Sequence, residues 1–257
     1  MIGNNNIGVF NSGRVLCWFS CGAASAVAAK LAIEKYDLVE VLYCDTLAYE
    51  HPDNKRFLSD CEEWFGQEVK LLRSKEYTDI YDVFERTRWL VGTAGARCTT
   101  ELKKRVRLDY QEPDDIHVFG YTWEEAHRIE RMGLEHPDLD CFFPLYEGRL
   151  TKRACLARLV DEGIDLPMMY KLGYNNNNCI GCVKGQAGYW NKIRKDFPEA
   201  FERMAKMERE LNAAINKRYV DGKRTRIFLD ELPLDMGRHD EEPPMDCGVL
   251  CQVEMPL

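Results

Sequence analysis

Cysteine offers the most chemistry in this chain, at 11 of 257 positions. Cys179-Ile-Gly-Cys182 is a C-x-x-C, a spacing that brings two thiolates onto one metal ion or cluster. Cys98 lies far upstream, and Cys247 and Cys251 form a C-x-x-x-C near the end. Two ligand sets compete. Cys179, Cys182, Cys247 and Cys251 would make a tetrahedral zinc site. Cys98, Cys179 and Cys182 with a tail cysteine would hold an iron–sulfur cluster. The odd count excludes complete pairing into disulfides, and Met1-Ile-Gly-Asn-Asn-Asn-Ile-Gly8 lacks the basic-then-apolar layout of a secretion leader. Metal binding or thiol chemistry in a cytoplasmic protein is therefore expected. Cys17, Cys44, Cys61, Cys141 and Cys155 sit in apolar patterns and read as small core residues.

The second chemical feature is Ser20-Cys21-Gly22-Ala23-Ala24-Ser25, between an apolar run and an Ala-rich segment. Small residues let a ligand approach the backbone, and a helix starting here would present unpaired N–H groups and a positive dipole end to a phosphate or sulfate. The serines add hydroxyls. Neither the three-glycine dinucleotide pattern nor the lysine-bearing Walker loop is present. The alternative is a tight turn whose serines merely cap the helix. Lys103, Lys104, Arg105 and Arg107 follow Cys98, and Arg128 and Arg131 come later; most such charges form a solvated face. Lys152 is a further candidate for an anion.

These residues need a frame. Apolar runs at 14–19, 39–44, 69–72 and 116–120 read as strands. Segments 23–36, 53–65, 78–90 and 99–110 read as helices between them, followed by 150–162 and 198–219, with irregular chain between these last two. This alternation predicts an α/β fold, an open parallel sheet with helices on both faces. Residues 1–145 are expected to form the nucleotide-type domain and 146–257 a smaller helical, cysteine-bearing region. The net charge of −8 counts against indiscriminate nucleic-acid binding, and charges interrupt every hydrophobic run, so no membrane span is expected.

Taken together, the motifs resemble the phosphoadenosine phosphosulfate (PAPS) reductase family of the PP-loop, adenine nucleotide alpha-hydrolase-like superfamily. Ser20–Ser25 is similar to its Ser-Gly-Gly-x-x-Ser loop, and Tyr43-Cys44-Asp45-Thr46 to its Asp-Thr motif. Arg97-Cys98-Thr99-Thr100-Glu101-Leu102-Lys103 resembles its Cys-Thr-x-x-x-Lys segment, and Gly120 to Arg128 its Gly-x-x-x-x-Glu-x-x-Arg stretch. Asn178-Cys179-Ile-Gly-Cys182 and Asp246-Cys247-Gly248 resemble its later cysteine segments, so the likeness runs from about residue 14 to 251. Three positions depart from the pattern. Cys21 replaces the first loop glycine, Ala24 stands where ATP-cleaving members carry Asp, and Arg97-Cys98 replaces a cysteine pair.

The resemblance implies an adenine nucleotide (ATP, PAPS or APS) held by Ser20, Cys21, Gly22, Ala23, Ala24, Ser25, Asp45, Thr46 and Gly120. It implies a [4Fe–4S] cluster on Cys98, Cys179, Cys182 and Cys247, with zinc as the alternative. Lys103 and Arg128 would act on the anion, and Cys247 is either a ligand or the thiol that attacks a sulfonyl sulfur. A thioredoxin-like reductant would then release sulfite. An ATP-dependent sulfurtransferase acting on nucleic acid is the second reading, and a zinc-stabilised nucleotide-binding protein without activity the third.

Overall fold

A computed structural model describes residues 13–92, 95–243, 245 and 247. Five parallel strands form the central sheet in the order β3-β2-β1-β6-β7. They are β1 (Val15–Phe19), β2 (Val39–Cys44), β3 (Lys70–Leu72), β6 (Ile116–Val118) and β7 (Asp140–Phe142). Two small antiparallel pairs complete the strands: β4 (Val91–Gly92) with β5 (Gly95–Ala96), and β8 (Asn216–Val220) with β9 (Lys223–Ile227). The expected α/β fold with an open parallel sheet is therefore the one observed, in a Rossmann-like arrangement with a helical C-terminal region.

The alternation of β1 explains how both faces of the sheet are filled. Val15, Cys17 and Phe19 point to one side, where helices Ala23–Lys35, Asn54–Phe65 and Lys152–Asp161 cover them. Leu16 and Trp18 point to the other side, against Val106, Met132 and Phe119. A central parallel strand is buried on both faces, so it reads as a continuous apolar run. Cys17, Cys61 and Cys155 are buried in the first of these cores and Cys44 in the second, as a core reading of those thiols requires.

A third core mixes distant parts of the chain. Helix Ile80–Thr87, Leu90, Ala96 and Leu102 pack with Tyr174, Tyr189, Trp190 and helix Pro198–Leu211. Here the structure differs from the expected helix over 198–219. The helix stops at Leu211 because Asn212 turns left-handed (φ 49°) and its N–H caps the carbonyls of Glu208 and Arg209. Buried Glu208 then accepts the backbone N–H groups of Ile215 (2.5 Å) and Leu229 (2.5 Å), which fixes the reversal into β8. The stretch expected to be irregular holds helices Met168–Lys171 and Ala187–Asp196. Among the described residues no helix is long and apolar enough to cross a membrane.

Candidate nucleotide and thiol site

After β1 the chain goes on to β2 on one side, while β6 pairs with β1 on the other. The connections leaving β1 and β6 therefore diverge, which opens a crevice at the carboxyl ends of the strands. A cavity of about 640 Å³ lies there, within the range of small-molecule sites. Ser20, Gly22, Ala24, Ser25 and Gly120 line its floor. Lys103, Arg128, Lys152, Cys179 and Cys247 also face it.

The loop is tied by its own serines. Ser25 Oγ accepts the Ser20 N–H at 3.0 Å, donates to the Gly22 carbonyl at 2.9 Å, and lies 3.1 Å from Ser20 Oγ. Cys21 is fully buried with φ 52°, the left-handed conformation that a glycine adopts most easily. Helix Ala23–Lys35 begins at Gly22, which offers no side-chain cap, and has no acidic residue in its first turn; the Ala23 N–H donates to the Tyr170 hydroxyl at 3.4 Å, and the positive end of the helix faces the cavity. Gly120 closes the other wall. A Cβ there would lie 2.8 Å from both N and Cα of Ser25, so only glycine lets the end of β6 abut the loop.

Arg128 lies with its guanidinium 4.0 Å over the Tyr121 ring and is paired with Glu125. Thr122 and Glu125 form a capping box that fixes this turn. Lys152 lines the cavity too, but its amine donates to the Asn175 carbonyl and to Asn176 Oδ1 (2.5 Å). Asp45 and Thr46 are placed differently from the other expected nucleotide residues. Neither lines the cavity: Asp45 is held by Arg73 at 2.8 Å, and buried Thr46 donates to Glu50 at 2.7 Å. The backbones of Cys21 and Ala23 carry the loop from behind its lining.

The thiols come from three separate segments. Cys98 sits in the short turn Arg97–Thr99, anchored because buried Glu101 takes Arg97 at 2.8 Å and Arg105 at 2.7 Å. The following Thr100–Lys104 is a π turn, a form frequent at functional sites, and it carries Lys103 to the cavity. Cys179 and Cys182 flank a turn in which Gly181 is left-handed (φ 75°). Buried Tyr189 organises that turn. Its hydroxyl accepts the N–H groups of Gly181 (3.1 Å) and Cys182 (2.9 Å) and donates to the Cys179 carbonyl (3.2 Å). Cys247 approaches on the terminal segment, with its Sγ 3.5 Å from Thr99 Oγ1 and its carbonyl accepting from Lys103 Nζ at 3.4 Å.

The four thiols feel one another. Burial pushes the Cys98 thiol up to about 12, with Cys247 and Cys182 adding to it. Cys182 rises to about 11 through burial and then Cys247. Cys179 is held well above its ordinary value by burial, Glu50, Cys247 and Cys182. For Lys103, burial opposes the charge, but Cys247, Cys179, Glu50 and Cys44 outweigh it and keep the ammonium. Among the described residues, no three His, Cys, Asp or Glu side chains are gathered tightly enough to share one metal ion. Asp246, Gly248 and Cys251 lie outside the described residues.

Glu50, Asn176 and Asn177 contribute without a motif of their own, beside Asn178 at the head of the C-x-x-C segment. Glu50 is buried against the cavity and holds Asn54 at 2.6 Å. Asn177, in a run that reads as low complexity, donates to the Cys21 carbonyl (2.6 Å) and to Asn54 (2.8 Å), so it joins the thiol segment to the loop. Asn176 and Asn178 donate to the Met245 carbonyl at 3.1 and 3.4 Å and hold the tail across the cavity. A run of four amides just before a C-x-x-C is the signal that could have found them. No protein-family model matches the chain, and no curated protein matches it.

Proposed function

We propose that this protein is an enzyme of the PAPS-reductase kind, binding an adenine nucleotide at Ser20–Ser25 and carrying out sulfur-centred chemistry at Cys247. The observation that carries this reading is that Cys247 and the Ser20–Ser25 loop face the same cavity, where Lys103 donates to the Cys247 carbonyl. The loop N–H groups and Arg128 would neutralise the anion. The Cys247 thiolate attacks the sulfonyl sulfur; an S–S bond forms, and the adenosine phosphate leaves with the electrons of the broken S–O bond. A dithiol protein of the thioredoxin type then attacks Cys247 Sγ, sulfite departs with the S–S electron pair, and the second thiol resolves the mixed disulfide.

Cys98, Cys179 and Cys182 fit a metal centre by the chemistry of the donor set: each is a buried thiol that feels Cys247, with Lys103 among them. A [4Fe–4S] cluster takes its thiolates at separate irons, whereas a structural zinc needs its ligands around one ion, and among the described residues no three such side chains are gathered around one point. Such a cluster, when bound, would position and polarise the groups beside the cavity rather than shuttle electrons. A second reading, ATP-dependent thiolation of nucleic acid, is favoured by one observation: three thiols belong to the body of the protein and the fourth to its tail. A cluster held by those three thiols alone would be able to take sulfide.

Both readings are tested on protein purified without oxygen. Sulfite released from PAPS or APS with a dithiol reductant, and lost in Cys247→Ser, supports the first. Pyrophosphate release from ATP without any sulfite replaces it with the second. About four iron per chain is expected; one zinc and no iron would dismiss the cluster.

A further inference from the structure

The β8–β9 hairpin is an exposed basic ribbon, and none of its residues lines the cavity. Its strands pair antiparallel around Asp221-Gly222, both left-handed (φ 50° and 74°), which is the turn that two-residue hairpins prefer. Asn216 and Ile227 are buried and root it in the body, while all of residues 217–226 are exposed. That stretch carries Lys217, Arg218, Lys223, Arg224 and Arg226 against one acid, in a chain of net charge −8.

The register sorts these side chains. Lys217 lies opposite Arg226 and Tyr219 opposite Arg224, so these four share one face; Arg218, Thr225, Val220 and Lys223 share the other. Like charges directly opposite each other weaken a strand pair. Arg224 and Arg226 add to burial in depressing the Lys217 pKa. Neighbouring segments neutralise their cations instead. Arg209 pairs with Asp230 and Glu231, and Arg238 with Asp240 and Glu241. Among the described residues, none of the five hairpin cations has a carboxylate partner. Arg226 donates only to the Ala214 and Ile215 carbonyls. Tyr219, 75% exposed, stands among the cations of the first face.

A self-repelling basic ribbon fits a polyanion, and an exposed aromatic ring among its charges fits a polyanion with flat faces. We propose that this hairpin docks nucleic acid with unpaired bases: phosphates lie along Lys217, Arg224 and Arg226, and a base stacks on Tyr219. Same-face residues stand about 7 Å apart along each strand, so the contacts follow a strand's backbone rather than one phosphate. The inference requires no particular reaction in the cavity.

The test uses the full chain and a fluorescent 20-nucleotide single strand, read by anisotropy between 50 and 200 mM salt. Binding should weaken with salt at a log–log slope of about −2, from roughly 0.7 per neutralised phosphate. Tyr219→Ala should weaken it roughly tenfold, and Arg224→Gln should lower the slope by about 0.7. Adenine-nucleotide affinity, measured by calorimetry, should stay unchanged in both variants. Because it is measured separately, a failed nucleotide assignment leaves this result standing, and the reverse also holds. The proposal is overturned if the single strand does not bind, or if neither variant alters its binding. It is equally overturned if the duplex binds as tightly with Tyr219→Ala silent, or if a polyglutamate chain displaces the strand at equal concentration, which would assign the ribbon to an acidic protein.

Discussion

The two halves of the cavity are built in opposite ways. The Ser20–Ser25 loop is tied mainly by bonds between residues at most five apart; from farther away Asn177 holds the Cys21 carbonyl, Tyr170 takes the Ala23 N–H, and Gly120 has only to be small. The thiol side draws Cys98, the 179–182 turn and Cys247 from three segments, of which only Cys179 and Cys247 line the cavity, and tyrosine and asparagine side chains from elsewhere hold them. A local anion cradle can form as soon as its strand and helix form. An arrangement of this kind exists only after the third core has closed, so it depends on polar groups with little redundancy.

The comparison breaks most sharply at Gly120. Gly120→Ala places a Cβ against the Ser25 backbone, and backbone cannot move aside as a flexible side chain would. A loss of about 3 kcal/mol in stability is expected, together with loss of most adenine-nucleotide affinity. Urea unfolding and calorimetry measure the two. Undiminished nucleotide binding would show that β6 does not form the second wall. On the other side, Tyr189→Phe removes the acceptor for two buried N–H groups and the donor to the Cys179 carbonyl. It should cost about 2 kcal/mol and lower the iron content of anaerobically prepared protein while nucleotide affinity is kept. Equal iron in variant and parent would mean that the turn holds its shape without the hydroxyl.

How much could be read in the sequence follows from the same contrast. The loop was legible because six contiguous residues between a strand and a helix contain nearly all of it. The cysteines were legible as residue types, but their partners were not. Tyr189 belongs to no motif, and the Asn175–Asn178 run lies in the stretch expected to be irregular. Asp45 has the right motif but turns to Arg73, a partner in β3's exit that no local pattern announces. The first strand of the hairpin begins inside the helix expected over 198–219. Ala213-Ala214 favours continuing the helix, and only the buried carboxylate of Glu208 and the left-handed Asn212 impose the reversal.

Glu208 gives the mildest probe, because it lies in the third core and touches neither the loop nor a thiol. Burial raises its carboxyl to about 7 from an ordinary value near 4.5, with Asp230 adding to the rise, while the N–H groups of Ile215 and Leu229 and the charge of Arg209 pull it back. Between those two values the folded protein keeps a proton that the unfolded chain has released. Glu208's contribution is therefore full below about pH 4.5 and is lost as pH rises to about 7. Glu208→Gln keeps one acceptor and cannot titrate. At pH 7 it should differ from the parent by only about 1 kcal/mol, with its deficit larger at pH 5 and nucleotide affinity unaltered at both. Urea unfolding at the two pH values measures this. A variant–parent difference that is the same at both would mean that the carboxylate is ionised throughout and that the reversal into β8 is held by an anion.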